Sequence, residues 1–249
     1  MIRINNNDFY ILEMNEGAAE TVVMIHGIFT NLSVYYFSIA QELAKKYHVV
    51  LYDLKGHGLS ETADSGYDLQ SMSKDLLGIL YELNLSKVHI AGYSYGGLIA
   101  LYMAIHHPQV VDKLIIIETP DLSDGQSRPL LEGYDKSFLD QYLKSLSLST
   151  SITPSQRKIS KTHRQVQYLF EHTTLKEDLR QDLDMFDKIA ANPPANETLL
   201  LYAKQTECAN AATFLHRHID KSSLYYGEGD HSIPVQNPEW IVDKITRFL

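Results

Sequence analysis

Val88-His89-Ile90-Ala91-Gly92-Tyr93-Ser94-Tyr95-Gly96-Gly97-Leu98-Ile99-Ala100-Leu101 is the stretch whose reading decides the fold. An apolar strand runs into a helix through Gly92-x-Ser94-x-Gly96. A turn that sharp crowds the residues two before and two after the serine, and glycine, lacking a β-carbon, relieves the crowding. A serine held there projects its hydroxyl above the sheet edge, while the N–H groups that open the next helix can stabilise charge on a reacting oxygen. The five residues alone also suit a plain strand-to-helix turn, so the surrounding chain has to decide.

Working outward, Thr21–Ile25, His48–Tyr52, Lys87–Ala91 and Lys113–Ile117 read as strands in a buried sheet, the first of them rich in β-branched residues. A helix to about Lys46 follows the first, and Leu69, Met72, Leu76, Leu77, Leu80 and Leu83 recur at helical spacing after the second. The helix behind Ser94 must stop at Pro108. Such alternation predicts an α/β fold with a mostly parallel central sheet and helices on both faces. Ile2–Ile4 and Phe9–Leu12 predict an edge hairpin around Asn5–Asp8.

Beyond Glu118 the strand pattern stops, and Phe138–Leu146, Pro154–Glu171 and Leu175–Ala190 read as amphipathic helices. The last opens on a capping-box pattern, Thr174-x-x-Glu177. Strand pattern returns at Thr198–Tyr202 and Ser222–Tyr226, and Asn237-Pro238-Glu239 opens a final helix to Leu249. The expected organisation is one core domain, residues 1–118 and 195–249, with an all-helical lid, 119–194, inserted after the sixth strand.

The chain has 249 residues, 44% of them hydrophobic, enough for a sizeable core. Its formal charge of -9 repels nucleic acid and anionic membrane surfaces. A single cysteine, Cys208, excludes an internal disulfide and any multi-cysteine metal site. The N-terminus lacks signal-peptide character and no apolar run reaches membrane-spanning length. The expectation is a cytoplasmic monomer or homodimer acting on a small or carrier-bound acyl molecule, with no nucleic-acid or membrane partner.

Five features occur in order: His26-Gly27 after a buried strand, Asp53-x-x-Gly56-x-Gly58-x-Ser60, the turn at Ser94, His107-Pro108, and Gly229-Asp230-His231-x-x-Pro234. With the helical insert, the chain resembles the lidded serine hydrolases of the α/β-hydrolase superfamily over nearly its whole length. The resemblance implies a triad in chain order nucleophile, acid, histidine. Ser94 is then the nucleophile, and His231 the base that takes its proton, since a serine hydroxyl is a poor nucleophile unaided. It also implies an oxyanion hole from the backbone N–H groups of Ile28 and Tyr95, with His26 and His57 bracing their loops.

The acid departs from the family pattern. Relatives place an aspartate beyond the strand that follows the lid, often as Gly-x-x-Asp, where this chain reads Tyr202-Ala203-Lys204-Gln205-Thr206-Glu207. Glu207 falls at the expected position and is the expected acid, with Glu118 and Asp121, at the end of the strand before the lid, as rivals. Phe29 and Tyr93, and beside them Tyr95, are expected to line the substrate pocket. The lid cations Arg157, Lys158, Lys161, Arg164 and Arg180 either form a solvated face or select an anionic group. The implied reaction is hydrolysis of an ester or thioester of a small or medium acyl group through an acyl-Ser94 intermediate, with no metal or organic cofactor. Carbon–carbon bond hydrolysis or a lyase reaction with the same triad, and non-catalytic ligand binding, are the alternatives.

Overall fold

The computed structural model describes the backbone of residues 1–124 and 156–249, and the side chains of 1–124 and 164–249. The strands are β1 (Ile2–Ile4), β2 (Asn7–Phe9), β3 (Ile11–Met14), β4 (Thr21–Ile25), β5 (His48–Tyr52), β6 (Val88–Tyr93), β7 (Val111–Ile117), β8 (Thr198–Ala203) and β9 (Ser222–Gly227). Strands β3 to β9 form one seven-stranded sheet in the order β3-β5-β4-β6-β7-β8-β9. Only β3 runs antiparallel to its neighbour; every other pair is parallel.

The described helices are α1 (Ser33–Tyr36), α2 (Ile39–Leu43), α3 (Leu69–Glu82), α4 (Tyr95–His106), α5 (Gln156–His172), α6 (Leu175–Gln181), α7 (Met185–Ala191), α8 (Ala209–His218), α9 (Ile233–Gln236) and α10 (Pro238–Phe248). Alternate strand residues feed two cores. Val23, Ile25, Ile90, Leu114, Ile116 and Leu200 pack with α3 and α4, while Val22, Met24, Val49, Leu51, Ile115 and Leu201 pack with α1, α2 and α10. A strand buried on both faces must be apolar at every position, which is why these runs do not alternate with polar residues. Among the described residues, no helix is long and apolar enough to cross a membrane.

Four elements differ from expectation. The Phe9–Leu12 strand is two strands, because Tyr10 turns its backbone away: its N–H donates to Ser60 Oγ and its carbonyl accepts from Asp53 N. β2 closes on β1 through Asn5 and Asn6, both at positive φ, while β3 joins the main sheet. The helical segment therefore follows the seventh strand in chain order, not the sixth. The helix expected to reach Lys46 is two short ones, α1 and α2, and the one expected over Leu175–Ala190 is also two, α6 and α7, broken at Asp182–Asp184. Helix α8 escapes a sequence reading because its apolar set is small, Ala211, Ala212 and Leu215. Of the lid helices, Phe138–Leu146 lies outside the described residues.

The predicted caps form differently. Thr174 Oγ1 donates to Asp178 (2.5 Å) rather than capping α6, and Asn237 donates to Glu228 O rather than capping α10. Asp178 is occupied because it fastens α6 to the core: its Oδ2 accepts from Gly66 N (3.1 Å) and Tyr67 N (2.9 Å). Asp182 makes a second fastening, accepting from Leu69 N (3.0 Å) and from the Tyr95 hydroxyl (3.1 Å) on the helix behind Ser94.

Burial raises the Asp182 pKa to about 7, against the pull of those two hydrogen bonds. The folded chain therefore holds a proton there that the unfolded chain has lost above its ordinary carboxylate range. Stability falls as pH rises from about 4 to about 7, by about 1.4 kcal/mol per pH unit for this group. Asp182→Asn keeps an acceptor oxygen and removes the charge, so it should flatten that slope and exceed the wild type in stability at pH 8. Urea unfolding of both proteins across this range is the check; parallel stability curves would contradict it.

Candidate active site

The site lies at the carboxyl ends of the parallel strands, where α/β sheets place their ligand crevices. Ser94 follows β6 directly with φ 53 and ψ -122, a conformation an L-residue adopts only under constraint. The constraint is the glycine contact: a β-carbon on Gly92 would lie 2.3 Å from Gly96 O, and one on Gly96 would lie 2.3 Å from Ile25 O. Gly27 is pressed against the serine in the same way, 2.9 Å from Ser94 Cβ to where its own β-carbon would be. The turn between β6 and α4 therefore closes only with these glycines.

Sheet register brings the remaining groups to Ser94. Tyr93 pairs with Ile117 across β6 and β7, so the next residues, Ser94 and Glu118, leave the sheet side by side. Glu118 also has positive φ (50) and is fully buried. Its Oε1 accepts from Ala203 N and its Oε2 from Thr206 Oγ1 (2.6 Å), both at the end of β8. The loop after β9 returns His231 to the same edge. His231 Nε2 stands 3.1 Å from Ser94 Oγ and its Nδ1 stands 3.2 Å from Glu118 Oε2. In the neutral ring, with the Nδ1 proton donated to the glutamate, Nε2 is an acceptor facing the serine hydroxyl.

The structure places Glu118, and not the expected Glu207, at His231. Glu207 is exposed, and no hydrogen bond or ion pair joins it to His231 among the described residues. Its loop contributes instead the neighbouring Thr206 hydroxyl, which holds Glu118. Asp121, the other rival, accepts from the Ser123 backbone and hydroxyl. The signal for Glu118 was its place immediately after a buried strand adjacent to the serine strand. Pairing order, which sequence does not state, was needed to read it.

Burial alone would lower the His231 pKa, but Cys208 and Glu118 on Nδ1 outweigh it and raise the ring above its ordinary value. Cys208 Sγ lies 3.8 Å from Nδ1. Tyr93 is a support for the histidine rather than a pocket wall: it is buried, its ring lies 5.3 Å from the His231 ring, and its hydroxyl donates to His231 O (2.8 Å). Tyr95 likewise points away, its hydroxyl 2.8 Å from Tyr67 O and 3.1 Å from Asp182 Oδ2. Phe29 does meet the helical segment, 5.6 Å from the Phe170 ring, in a small cavity lined also by Val166 and Leu169. Its φ of 69 marks a tight turn straight after Ile28. Arg164 and Arg180 lie on the exposed side of their helices, while the side chains of Arg157, Lys158 and Lys161 are outside the described residues.

The flanking loops are bracing. His26 Nδ1 donates to Gly27 O (2.7 Å) and its Nε2 accepts from Leu54 N (2.9 Å). Burial lowers its pKa to about 4 and that of His57 to about 3, so both rings are neutral near pH 7. The Asp53 carboxylate accepts from Leu32 N and Leu59 N, each at 2.8 Å. Gly58 is required there, since a β-carbon would lie 2.0 Å from Asp53 Oδ2.

A family model described as the alpha/beta hydrolase fold matches residues 20–248. The chain belongs to that family. Among curated relatives, RutD from Pantoea ananatis, whose carbamate hydrolase name is itself provisional, is 30% identical over 121 residues, 48% of this chain and 44% of RutD. The chain spans less than half the length of the first curated relatives it matches. Among solved structures, a bacterial membrane phospholipase A superposes with a TM-score of 0.85 at 22% identity, over 99% of this chain and 84% of that one. The enol-lactonase from Burkholderia xenovorans LB400 gives 0.75 at 16% identity, over 98% and 97%. At such identities these structures establish the α/β-hydrolase fold and nothing narrower.

Proposed function

We propose that this protein is a serine hydrolase that cleaves a carboxylic ester or thioester of a small or medium acyl group through an acyl-Ser94 intermediate. The observation that carries the proposal is the bridge of His231 between Ser94 Oγ and Glu118, at 3.1 Å and 3.2 Å. Ser94 attacks the carbonyl carbon as its proton passes to His231 Nε2, and the imidazolium that forms is held by Glu118. The N–H groups of Ile28 and Tyr95 receive the negative charge on the carbonyl oxygen. His231 then returns its proton to the departing alkoxide or thiolate, and water, deprotonated by the same nitrogen, releases the acid and restores Ser94. Residues 119–194 act as the lid, and Phe29 faces the acyl group.

Rapid mixing of the protein with nitrophenyl esters, acetyl to octanoyl, tests this reading. A burst of about one nitrophenol per chain ahead of slower turnover is expected, because acylation and deacylation are separate steps. Absence of release from every ester and thioester tried would contradict it.

A further inference from the structure

Glu118, Cys208 and His231 form a cluster whose ligand atoms all lie within 4.8 Å of one another. Two of the separations are already those of a coordination shell. Zinc bonds of about 2.0–2.1 Å to nitrogen, 2.0–2.2 Å to oxygen and 2.3 Å to sulfur, set tetrahedrally, give edges of roughly 3.3 Å between nitrogen and oxygen and roughly 3.5 Å between nitrogen and sulfur. The observed edges are 3.2 Å from His231 Nδ1 to Glu118 Oε2 and 3.8 Å from Nδ1 to Cys208 Sγ. The third edge, between the Glu118 carboxylate and the Cys208 thiol, lies within the 4.8 Å that bounds the cluster.

The cluster is held from behind. Thr206 Oγ1 donates to Glu118 Oε2 (2.6 Å) and accepts from Cys208 N (2.9 Å), so one hydroxyl ties the two ligands together. Ala203 N fixes the other glutamate oxygen. Outer partners of this kind orient metal ligands. Glu118 is fully buried and Cys208 nearly so, at 8%, while the His231 side chain is 29% exposed.

We infer that Glu118, Cys208 and His231 Nδ1 form an inhibitory site for a borderline or soft divalent cation, Zn²⁺ or Cd²⁺. A carboxylate, a thiolate and a neutral imidazole bring two negative charges to a doubly charged ion, and the thiolate selects zinc and cadmium over magnesium and calcium. On binding, the thiol proton leaves to solvent, and the Nδ1 proton is displaced, to Nε2 from a neutral ring or to solvent from a protonated one. His231 becomes the tautomer whose single proton sits on Nε2, facing Ser94 Oγ. That nitrogen can then only donate, so it no longer removes the serine proton. The binding half stands on the cluster alone; the inhibitory half rests on the Ser94–His231 reading above.

The test is a Cd²⁺ titration followed by thiolate-to-cadmium charge-transfer absorption in wild type, Ser94→Ala, Glu118→Gln and His231→Gln. One equivalent should bind wild type and Ser94→Ala alike, and each of the other two variants, whose thiol is intact, should bind at least about tenfold more weakly. Equal affinity in all four proteins, or no absorption in wild type, would overturn the site by reducing it to a lone thiol or to nothing. Ester turnover measured beside it should fall at least about tenfold when Zn²⁺ saturates and recover on adding EDTA. Stoichiometric binding without slowed turnover would overturn the inhibitory half only. A protein inactive on all esters that still binds Cd²⁺ as described would keep the site and discard the function.

Discussion

Ser94→Ala should abolish acyl ester hydrolysis, lowering kcat/KM by at least about 10⁴-fold, on the scale set by removing the nucleophile of other serine hydrolases. The loss is this large because no other group stands where Oγ stands, 3.1 Å from His231 Nε2. Alanine keeps the β-carbon that packs against Gly27, so the turn retains its contacts and thermal stability should change little. Steady-state kinetics with nitrophenyl esters, beside a melting curve, is the measurement. A variant with wild-type turnover would remove Ser94 from the chemistry.

Glu118→Gln is the second large effect, a loss of about 10³–10⁴-fold in kcat with the fold retained. The glutamine is isosteric and still accepts from one of Ala203 N and Thr206 Oγ1, but its amide donates where the carboxylate accepted. Facing an N–H donor, His231 Nδ1 must become the acceptor, which puts the ring proton on Nε2 against Ser94 and leaves no base there. The imidazolium formed during attack also loses its counter-charge. Glu207→Gln is the control: an exposed side chain not in contact with His231 should leave kcat within about twofold. The opposite ranking of the two variants would return the acid to the loop after β8.

The fold was legible because burial on both faces forces stretches such as Val22–Ile25 and Leu114–Ile117 to be apolar throughout, and few other structures ask for that. The meeting of Ser94 and His231 was legible for a related reason: a five-residue turn that needs glycine on both sides, and a histidine in a glycine-containing loop past the last strand. The place of Glu118 at His231 was not. Its assignment depends on β7 lying beside β6 and β8, and on Ala203 N and Thr206 reaching across to it, all of them long-range facts. Tyr93 and Tyr95 were misplaced for a similar reason. Their position next to Ser94 suggests a pocket, while alternation along β6 and the start of α4 turns both rings into the protein. The split at Tyr10 was hidden because its cause, Ser60, lies 50 residues away.

The central claim is that His231 activates Ser94. Labelling with a fluorophosphonate, read by intact mass and peptide mapping, measures that reactivity without a known substrate. One adduct per chain on Ser94 is predicted, with His231→Gln labelled at least about a hundredfold more slowly. No adduct, an adduct on another residue, or equal labelling rates in the two proteins would contradict the account.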